Sequence, residues 1–209
     1  MKSVFVQCSD PNCGFRFPVL ENRLAGLACP RCKSPVAVIP TKTEVIQELK
    51  NAKTKNTNLN VLLDNVRSTY NVGSIFRTAD GAGIRKIFLG GITPPPTSDR
   101  VNKVALGAEF SIPWESIPNS YSFCVEWQKA GRKLVSLEVT AGAADLFQIR
   151  PDRAAEYLLV VGNEVSGIDP DILAISDLII RLPMGGYKKS LNVASAAAIA
   201  MYHWIYALE

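Results

Sequence analysis

The pattern of hydrophobic and polar residues changes near position 59. From there onward, short apolar runs rich in Val, Ile and Leu alternate with segments whose apolar residues recur at helical spacing. The apolar runs predict strands over residues 61–63, 87–89, 133–137, 157–161 and 178–182. The other segments predict helices over residues 71–83, 100–106, 120–130, 170–175 and 191–206. Strands that alternate with helices indicate an α/β fold with a mainly parallel sheet, covered on both faces.

The first 40 residues follow a different pattern. Turn-forming residues separate three short extended segments, which span residues 3–6, 15–18 and 36–39. A region this small buries too little apolar surface to fold without a metal ion or another constraint. The next segment predicts a short helix around residues 45–49 and then a polar linker. The sequence therefore predicts three parts, which span residues 1–40, 41–58 and 59–209.

Four of the five cysteines lie in the N-terminal region, and their spacing is typical of a metal site. They form two pairs, Cys8 with Cys13 and Cys29 with Cys32, and each pair lies beside turn-forming residues. Two such pairs supply the four thiolates of a tetrahedral structural Zn²⁺ site, as in a zinc ribbon. Two disulfides or a bound iron ion are the alternatives. The apolar and aromatic surroundings of Cys124 predict a buried small hydrophobic side chain rather than a nucleophile.

Composition and charge limit the class of protein. The chain is 47% hydrophobic and 20% charged, which is typical of a soluble globular protein. It has no apolar run of about 18 residues that would span a membrane, and its first residues lack the apolar core of a signal peptide. We therefore expect a cytoplasmic protein. Residues 1–56 contain nine lysines and arginines against four acidic residues. This excess suits a polyanionic partner, although solubility alone would also explain it.

Asn71 begins the first of three segments that carry candidate chemistry. It is expected to cap the helix over residues 71–83, and Arg77 lies six residues further along. This spacing displaces the two side chains around the helix, so that they need not touch. On composition alone, a solvated or salt-bridged helix residue is the plainer interpretation of Arg77.

The second segment follows the predicted strand over residues 157–161. Gly162 and Gly167 bound the sequence Gly-Asn-Glu-Val-Ser-Gly, and glycine at both ends suits a tight turn beside a ligand. In α/β sheets, ligands favour the carboxyl ends of the strands. An ordinary turn between a strand and a helix is the alternative.

The third segment, residues 182–192, joins the last predicted strand to an Ala-rich helix. The glycine pair at 185–186 is expected to let a ligand approach the main chain. Ser190 and Asn192 are expected to cap the helix, whose first N–H groups are free to bind a ligand. The sequence Tyr-Lys-Lys at 187–189 would contact phosphate or stack on a base, with a solvated loop as the alternative.

All three segments, in this order, resemble the motifs of the SpoU/TrmH branch of the SPOUT RNA methyltransferases. Residues 104–109 are similar to a further segment that recurs in this branch. The resemblance covers residues 59–209. It implies an α/β fold with a deep trefoil knot at its C-terminal end, a homodimer, and S-adenosylmethionine as cofactor. The reaction that it implies is methylation of a ribose 2′-oxygen in tRNA or rRNA.

Two other functions are weighed against this one. A protein that keeps the fold but binds RNA or assists ribosome assembly without catalysis is the main alternative. The intact motif residues argue against it, because such a protein has no need of them. Base methylation is disfavoured, because the first and third segments match the ribose-modifying branch.

The resemblance also assigns roles to individual residues. The catalytic set that it implies is Asn71, Arg77, Glu164, Ser190 and Asn192. The cofactor-binding set, which acts largely through backbone groups, is Leu137, Gly162, Asn163, Gly167, Leu182, Met184, Ser190 and Leu191. Arginine is a poor base, since its pKa lies above about 12. Arg77 is therefore expected to anchor RNA phosphate and stabilise the developing alkoxide, and its participation as a base is left open.

The cysteine-rich region departs from the commoner N-terminal extensions of this branch. Because it is small, basic and appended to a catalytic domain, we expect it to add RNA affinity. A stabilising module or a protein-contact module is the alternative. His203, the only histidine, lies beside Trp204 in the last helix and is expected to pack in the core or at a dimer interface rather than to catalyse.

Overall fold

The computed structural model describes residues 3–39 and 57–207. The chain divides into two compact units, residues 1–52 and 53–209, which are described separately below. The predicted short helix around residues 45–49 and its linker lie outside the described residues, so that helix and the domain boundaries stay predictions.

The N-terminal unit contains an antiparallel sheet of three strands. Its strands are β1 (Ser3–Cys8), β2 (Arg16–Leu20) and β3 (Val36–Val38), in the order β2-β1-β3. All three predicted extended segments are confirmed. Side chains alternate along β1, so that Val6 and Cys8 are buried while Phe5 and Gln7 are exposed.

The second unit is built on a parallel sheet of seven strands, as the alternation of elements predicted. The strand order is β6-β5-β4-β9-β7-β10-β8. The strands are β4 (Leu59–Asp64), β5 (Ile87–Gly90), β6 (Trp114–Ile117), β7 (Lys133–Leu137), β8 (Ala144–Asp145), β9 (Tyr157–Val161) and β10 (Leu178–Arg181). The helices are α1 (Thr69–Ala82), α2 (Asp99–Ala105), α3 (Ala108–Ser111), α4 (Ser120–Lys129), α5 (Pro170–Ile175) and α6 (Val193–Tyr206).

Helices cover both faces of this sheet. Strands β4 and β9 lie in its interior, and every residue of both strands is buried. On one face, Phe76 of α1 and Met201 of α6 pack in the larger apolar cluster. On the other face, Trp127 of α4 and Ile172 of α5 pack in a second cluster. The continuous apolar runs in the sequence are the signature of strands buried on both sides.

Two helix starts differ from the sequence prediction. Helix α1 begins at Thr69, and its N-cap is Ser68, whose hydroxyl accepts a hydrogen bond from the Asn71 N–H at 3.3 Å. The prediction that Asn71 caps this helix is therefore wrong. Helix α6 begins at Val193 with Asn192 as its N-cap, so the predicted cap at Asn192 is confirmed and that at Ser190 is wrong.

Candidate functional site

A cavity of about 410 Å³ opens at the carboxyl ends of β7, β9 and β10. Its walls come from the turn after β7, the turn after β9, and the segment that joins β10 to α6. The eight residues that the sequence singled out for cofactor binding all line this cavity: Leu137, Gly162, Asn163, Gly167, Leu182, Met184, Ser190 and Leu191. Three members of the candidate catalytic set also line it, namely Glu164, Ser190 and Asn192.

The turn after β9 requires glycine at both ends. Asn163 and Gly167 exchange two backbone hydrogen bonds of 3.0 Å each, which closes the turn. A Cβ atom on Gly162 would collide with the backbone of Gly167. Gly167 has a φ of +74°, and a Cβ atom there would lie 2.5 Å from the carboxylate of Glu138. Both glycines therefore follow from close packing beside the cavity.

The side chain of Asn163 holds the same turn from inside. Its Oδ1 accepts hydrogen bonds from the N–H groups of Val165 at 2.9 Å and Ser166 at 3.1 Å. Its Nδ2 donates to the backbone oxygen of Asn65, which follows β4, at 2.7 Å. The turn is thereby fixed to the neighbouring strand end.

Glu138 belongs to the cavity wall, although the sequence analysis did not select it. Its Oε1 accepts a hydrogen bond from the Val139 N–H at 2.8 Å, and its Oε2 accepts one from the Ile168 N–H at 3.1 Å. The carboxylate thus joins the end of β7 to the residue that follows the Gly162–Gly167 turn. A charged residue directly after a buried strand was the available signal, because strand carboxyl ends form ligand sites.

A chain of hydrogen bonds connects three segments that are distant in sequence. The Asn71 Nδ2 donates to Glu164 Oε1 at 2.8 Å, and the Asn192 Nδ2 donates to Asn71 Oδ1 at 3.0 Å. The Asn192 Oδ1 accepts hydrogen bonds from the N–H groups of Ala194 at 2.9 Å and Ser195 at 3.4 Å. These contacts fix the orientation of both amides, since each amide oxygen and nitrogen has a defined partner. The polar wall of the cavity is therefore held together by contacts within the protein itself.

Glu164 carries the negative charge of this network. Partial desolvation of its carboxylate acts to raise its pKa, but hydrogen bonds from the N–H groups of Arg67 and Ser68 and from the Asn71 amide outweigh that effect. The pKa of Glu164 consequently lies below its ordinary value. At neutral pH the group is a carboxylate and only accepts hydrogen bonds.

Arg77 does not line the cavity. It is exposed on α1, six residues after Asn71, which corresponds to about 9 Å along the helix axis. Asn71 does not line the cavity either, but it reaches the wall through Glu164 and Asn192. The structure therefore brings four of the five candidate catalytic residues together and leaves Arg77 apart.

Two cations line the cavity, Arg181 at the end of β10 and Lys189 before α6. The sequence analysis had singled out the lysine but not the arginine. Gly185 and Gly186 do not line the cavity, neither has a positive φ, and no atom lies within 4 Å of a Cβ built on either residue. The structure therefore gives no packing or conformational reason for glycine at these two positions, and the expectation that the pair permits close ligand approach stays a prediction.

The four N-terminal cysteines converge on one point. Their sulfur atoms all lie within 4.8 Å of one another. The Cys8 and Cys32 sulfurs are 3.3 Å apart, and the Cys13 and Cys29 sulfurs are 3.8 Å apart. A tetrahedral zinc ion with Zn–S bonds of about 2.3 Å sets sulfur–sulfur distances near 3.8 Å, whereas a disulfide bond measures about 2.05 Å. All four are free thiols, so the arrangement fits one metal ion and not two disulfides.

Two other residues weighed as candidates have packing contacts instead. Cys124 is fully buried, and burial raises the pKa of its thiol to about 12, which keeps it protonated at neutral pH. His203 lies with a ring nitrogen 3.1 Å from the Ile149 backbone oxygen, and its ring meets that of Phe147 edge-on. The prediction that Cys124 is a buried small hydrophobic residue is confirmed.

The fold and the site define an α/β protein with a ligand cavity at the carboxyl ends of a parallel sheet, lined by backbone turns and by an oriented amide–carboxylate network. Comparison with known proteins gives the family. Residues 58–202 match the model of the SpoU rRNA Methylase family. The chain belongs to this family, as the three sequence segments indicated.

Individual relatives agree with this membership. The chain is 36% identical over 143 residues to the 23S rRNA (guanosine(2553)-2′-O)-methyltransferase RlmP of Bacillus subtilis, covering 68% of this chain and 56% of the relative. It is 27% identical over 166 residues to the tRNA (guanosine(18)-2′-O)-methyltransferase of Aquifex aeolicus, covering 79% of this chain and 76% of the relative. The crystal structure of an AdoMet-bound rRNA methyltransferase from Sinorhizobium meliloti superposes with a TM-score of 0.64 at 33% identity, covering 69% of this chain and 54% of that one.

The match is partial in length. The chain spans 56% of the Bacillus relative and 54% of the Sinorhizobium structure.

Within residues 3–39 and 57–207, every helix is too short or too polar to cross a membrane.

Proposed function

We propose that this protein is an RNA 2′-O-ribose methyltransferase that uses S-adenosylmethionine and acts on tRNA or rRNA in the cytoplasm. One observation carries the proposal. The cavity of about 410 Å³ at the strand ends has a polar wall in which Glu164, Asn71 and Asn192 hold each other in fixed orientations. A relative from Bacillus subtilis and one from Aquifex aeolicus are named as 2′-O-methyltransferases.

The cavity suits a nucleoside-sized cofactor. Its volume falls within the range of small-ligand sites, about 300–1,000 Å³. Leu137, Leu182 and Leu191 provide apolar surface for a base, and the backbone groups of the Gly162–Gly167 turn provide donors and acceptors for its edge. S-adenosylmethionine supplies an electrophilic methyl group when bound.

The amide–carboxylate network is proposed to orient the substrate ribose. Glu164 stays ionised and holds the Asn71 amide, which in turn holds Asn192 on the cavity wall. Ser190 lines the cavity two residues before Asn192 and offers a hydroxyl that both donates and accepts hydrogen bonds. Groups that are oriented in advance contribute to catalysis, because no free energy is then spent on reorganising them during the reaction.

Arg77 is proposed to anchor RNA phosphate and to stabilise the alkoxide that develops at the ribose 2′-oxygen. A guanidinium group suits this role, because it stays charged and matches the geometry of phosphate oxygens. Since Arg77 lies outside the cavity wall of its own chain, the RNA must bridge the distance or a second protomer must supply the residue. The proposed homodimer, formed through the larger unit, would allow the second arrangement.

The same proposal extends to the chain topology and to the metal. A trefoil knot is proposed in the C-terminal part of the chain. The strand order supports it, because β9 and β10 follow each other in sequence but have β7 between them in the sheet.

A structural zinc ion is proposed at Cys8, Cys13, Cys29 and Cys32, on the basis of their convergence. The N-terminal unit is proposed to add RNA affinity. The proposed parts of the chain are residues 1–40, 41–58 and 59–209.

Mass spectrometry of nucleosides from total RNA, with and without this protein, tests the proposed activity. Cells that contain the protein should yield an additional 2′-O-methylated position in tRNA or rRNA, and fragment mapping would locate it. A non-catalytic RNA-binding or ribosome-assembly protein would leave the nucleoside profile unchanged while still binding RNA. A methylated base in place of a methylated ribose would contradict the proposal.

A further inference from the structure

One face of the N-terminal sheet takes no part in the cysteine cluster. Strand pairing places Phe5 opposite Pro18, and places Gln7 opposite both Arg16 and Ala37. Residues directly opposite each other point to the same face of an antiparallel sheet. All five residues are exposed, and together they are called the outer face below. The other face carries the buried residues Val6 and Cys8 of β1.

Phe5 lies at the centre of the outer face. Its side chain is 42% exposed, whereas the next residue, Val6, is fully buried. The guanidinium carbon of Arg16 lies 5.7 Å from the centroid of the Phe5 ring. The guanidinium lies over the ring, and this pair combines flat surfaces with a positive charge, the features that a nucleotide requires.

The charges on the outer face favour an anion. Arg16 is its only ionisable residue, and none of its five residues is acidic. The acidic residues within 3–39 are Asp10 and Glu21, which lie outside the three strands. The Asp10 carboxylate accepts a hydrogen bond from the Asn12 N–H at 2.8 Å, within a turn. An approaching phosphate would therefore meet Arg16 and no carboxylate among the five residues of the outer face.

We propose that the outer face binds an unpaired segment of RNA, with one base stacked on Phe5 and a backbone phosphate on Arg16. This inference rests on the proposed function, which makes RNA the substrate. Exposed aromatic residues on a small sheet bind single-stranded RNA by stacking its bases, and base pairing in a duplex hides the base faces. Gln7, which lies opposite Arg16 in the sheet, offers an amide that hydrogen-bonds to a base edge. A protein partner fits less well, since one aromatic ring with two small apolar residues and two polar side chains falls short of the apolar centre of a protein interface.

The test uses the whole chain and two probes, a fluorescein-labelled single-stranded RNA of about 12 nucleotides and a duplex of the same sequence. Fluorescence anisotropy should show that Phe5→Ala weakens binding of the single strand by about 10-fold or more, because one stacked base is lost. Binding of the duplex should not change. Phe5→Trp should keep the affinity, because it preserves an aromatic surface.

Phe15→Ala is the matched control. Phe15 is 38% exposed but precedes β2, and its ring packs against Phe17 with centroids 5.5 Å apart. This variant should bind the single strand like the unmodified chain. Arg16→Gln should reduce the slope of log affinity against log salt concentration by about one, because one phosphate contact is lost.

Two results would overturn the inference: unchanged single-strand binding by Phe5→Ala, or equal weakening by Phe5→Ala and Phe15→Ala. Metal content and thermal unfolding of each variant establish that the N-terminal unit is folded. The proposed methyltransferase activity is measured separately, by titration with S-adenosylmethionine and by methylation of RNA. A chain that binds single strands through Phe5 but transfers no methyl group would contradict the proposed function and leave this inference standing.

Discussion

The side-chain amide of Asn71 donates a 2.8 Å hydrogen bond to the carboxylate of Glu164, across 93 positions of sequence. The same amide accepts a hydrogen bond from Asn192, 121 positions away. The start of α1, the turn after β9 and the start of α6 therefore meet at one side chain. Three motifs that are separate in the sequence form one continuous wall because Asn71 lies between the other two residues.

Glu164→Gln should destabilise the larger unit and reduce methyl transfer. Gln offers one acceptor oxygen in place of two, so the N–H groups of Arg67 and Ser68 and the Asn71 amide cannot all keep their partners. Because Glu164 is exposed to solvent, which screens its charge, we expect a loss of about 1 kcal/mol in the free energy of unfolding. Chemical denaturation at pH 7 measures this difference. Equal stability of the two proteins would show that these hydrogen bonds contribute nothing net.

The contribution of Glu164 should also depend on pH. Its folded-state pKa is lowered, so its stabilising effect is fully present above the unfolded-state pKa, about 4.3, and is lost as the pH falls through the folded-state pKa. The stability difference between the unmodified chain and Glu164→Gln should therefore be constant from pH 7 to pH 5 and decrease below about pH 4.3. Denaturant titrations at several pH values would follow this trend. A difference that grows as the pH falls would contradict the assignment.

Gly162→Ala should disrupt the cavity, whereas Gly185→Ala should be tolerated. A Cβ atom on Gly162 collides with the Gly167 backbone, which cannot move without opening the turn, while the space around Gly185 is free. We expect Gly162→Ala to cost about 1–3 kcal/mol of stability and to weaken binding of S-adenosylmethionine, as measured by calorimetry. Cofactor affinity in Gly185→Ala should equal that of the unmodified chain. If the two variants behaved alike, the close approach of Gly162 to Gly167 would not matter for the site.

Arg77→Ala should abolish methylation while leaving cofactor affinity unchanged. Arg77 is exposed and does not line the cavity, so its removal does not alter the cofactor site. Loss of a group that stabilises the developing negative charge should lower the rate by about 100-fold or more. Arg85→Ala is a suitable control, because Arg85 is a surface arginine paired with Glu156 at 3.3 Å. Full activity of Arg77→Ala in a single-turnover assay would remove Arg77 from the mechanism.

Cys32→Ser should remove the proposed zinc ion, and Cys124→Ala should not. The Cys32 sulfur belongs to the cluster of four, whereas Cys124 is buried in the apolar core of the other unit. Elemental analysis should find about one zinc ion per chain in the unmodified protein. It should find a similar amount in Cys124→Ala and little in Cys32→Ser. Limited proteolysis should then cleave Cys32→Ser within residues 3–39, because a unit this small depends on its metal. Zinc retained at the full level by Cys32→Ser would contradict a four-thiolate site.

The sequence predicted the sheet well because its central strands are continuous apolar runs. Strand β6 was missed because it contains the polar residues Glu115 and Ser116, and β8 because it has two residues. A continuous apolar run marks a strand that is buried on both faces. Strands β6 and β8 lie at the edges of the sheet and are only partly buried, so neither has such a run. The α/β class was therefore predictable from local pattern, while the full extent of the sheet was not.

The candidate site was predictable where backbone shape determines residue type. Gly162 and Gly167 carry a signal in the sequence itself, because the turn excludes a side chain at both positions. Arg181 carried no comparable signal, since its place in the cavity depends on β10 lying next to β7. Glu138 carried only the weaker signal of a charged residue directly after a buried strand. Asn71 was interpreted as a helix cap because asparagine is a favoured cap. Its true partners lie too far away in sequence for a local pattern to reveal them.

The late position of α6 in the chain has a consequence for synthesis. Asn192 caps this helix and completes the polar wall, while the residues it joins, Asn71 and Glu164, are made earlier. During translation, the parallel sheet can begin to form before the last wall of the cavity exists. The proposed cofactor site should therefore be completed only after residues 193–206 have been made and have packed against α1.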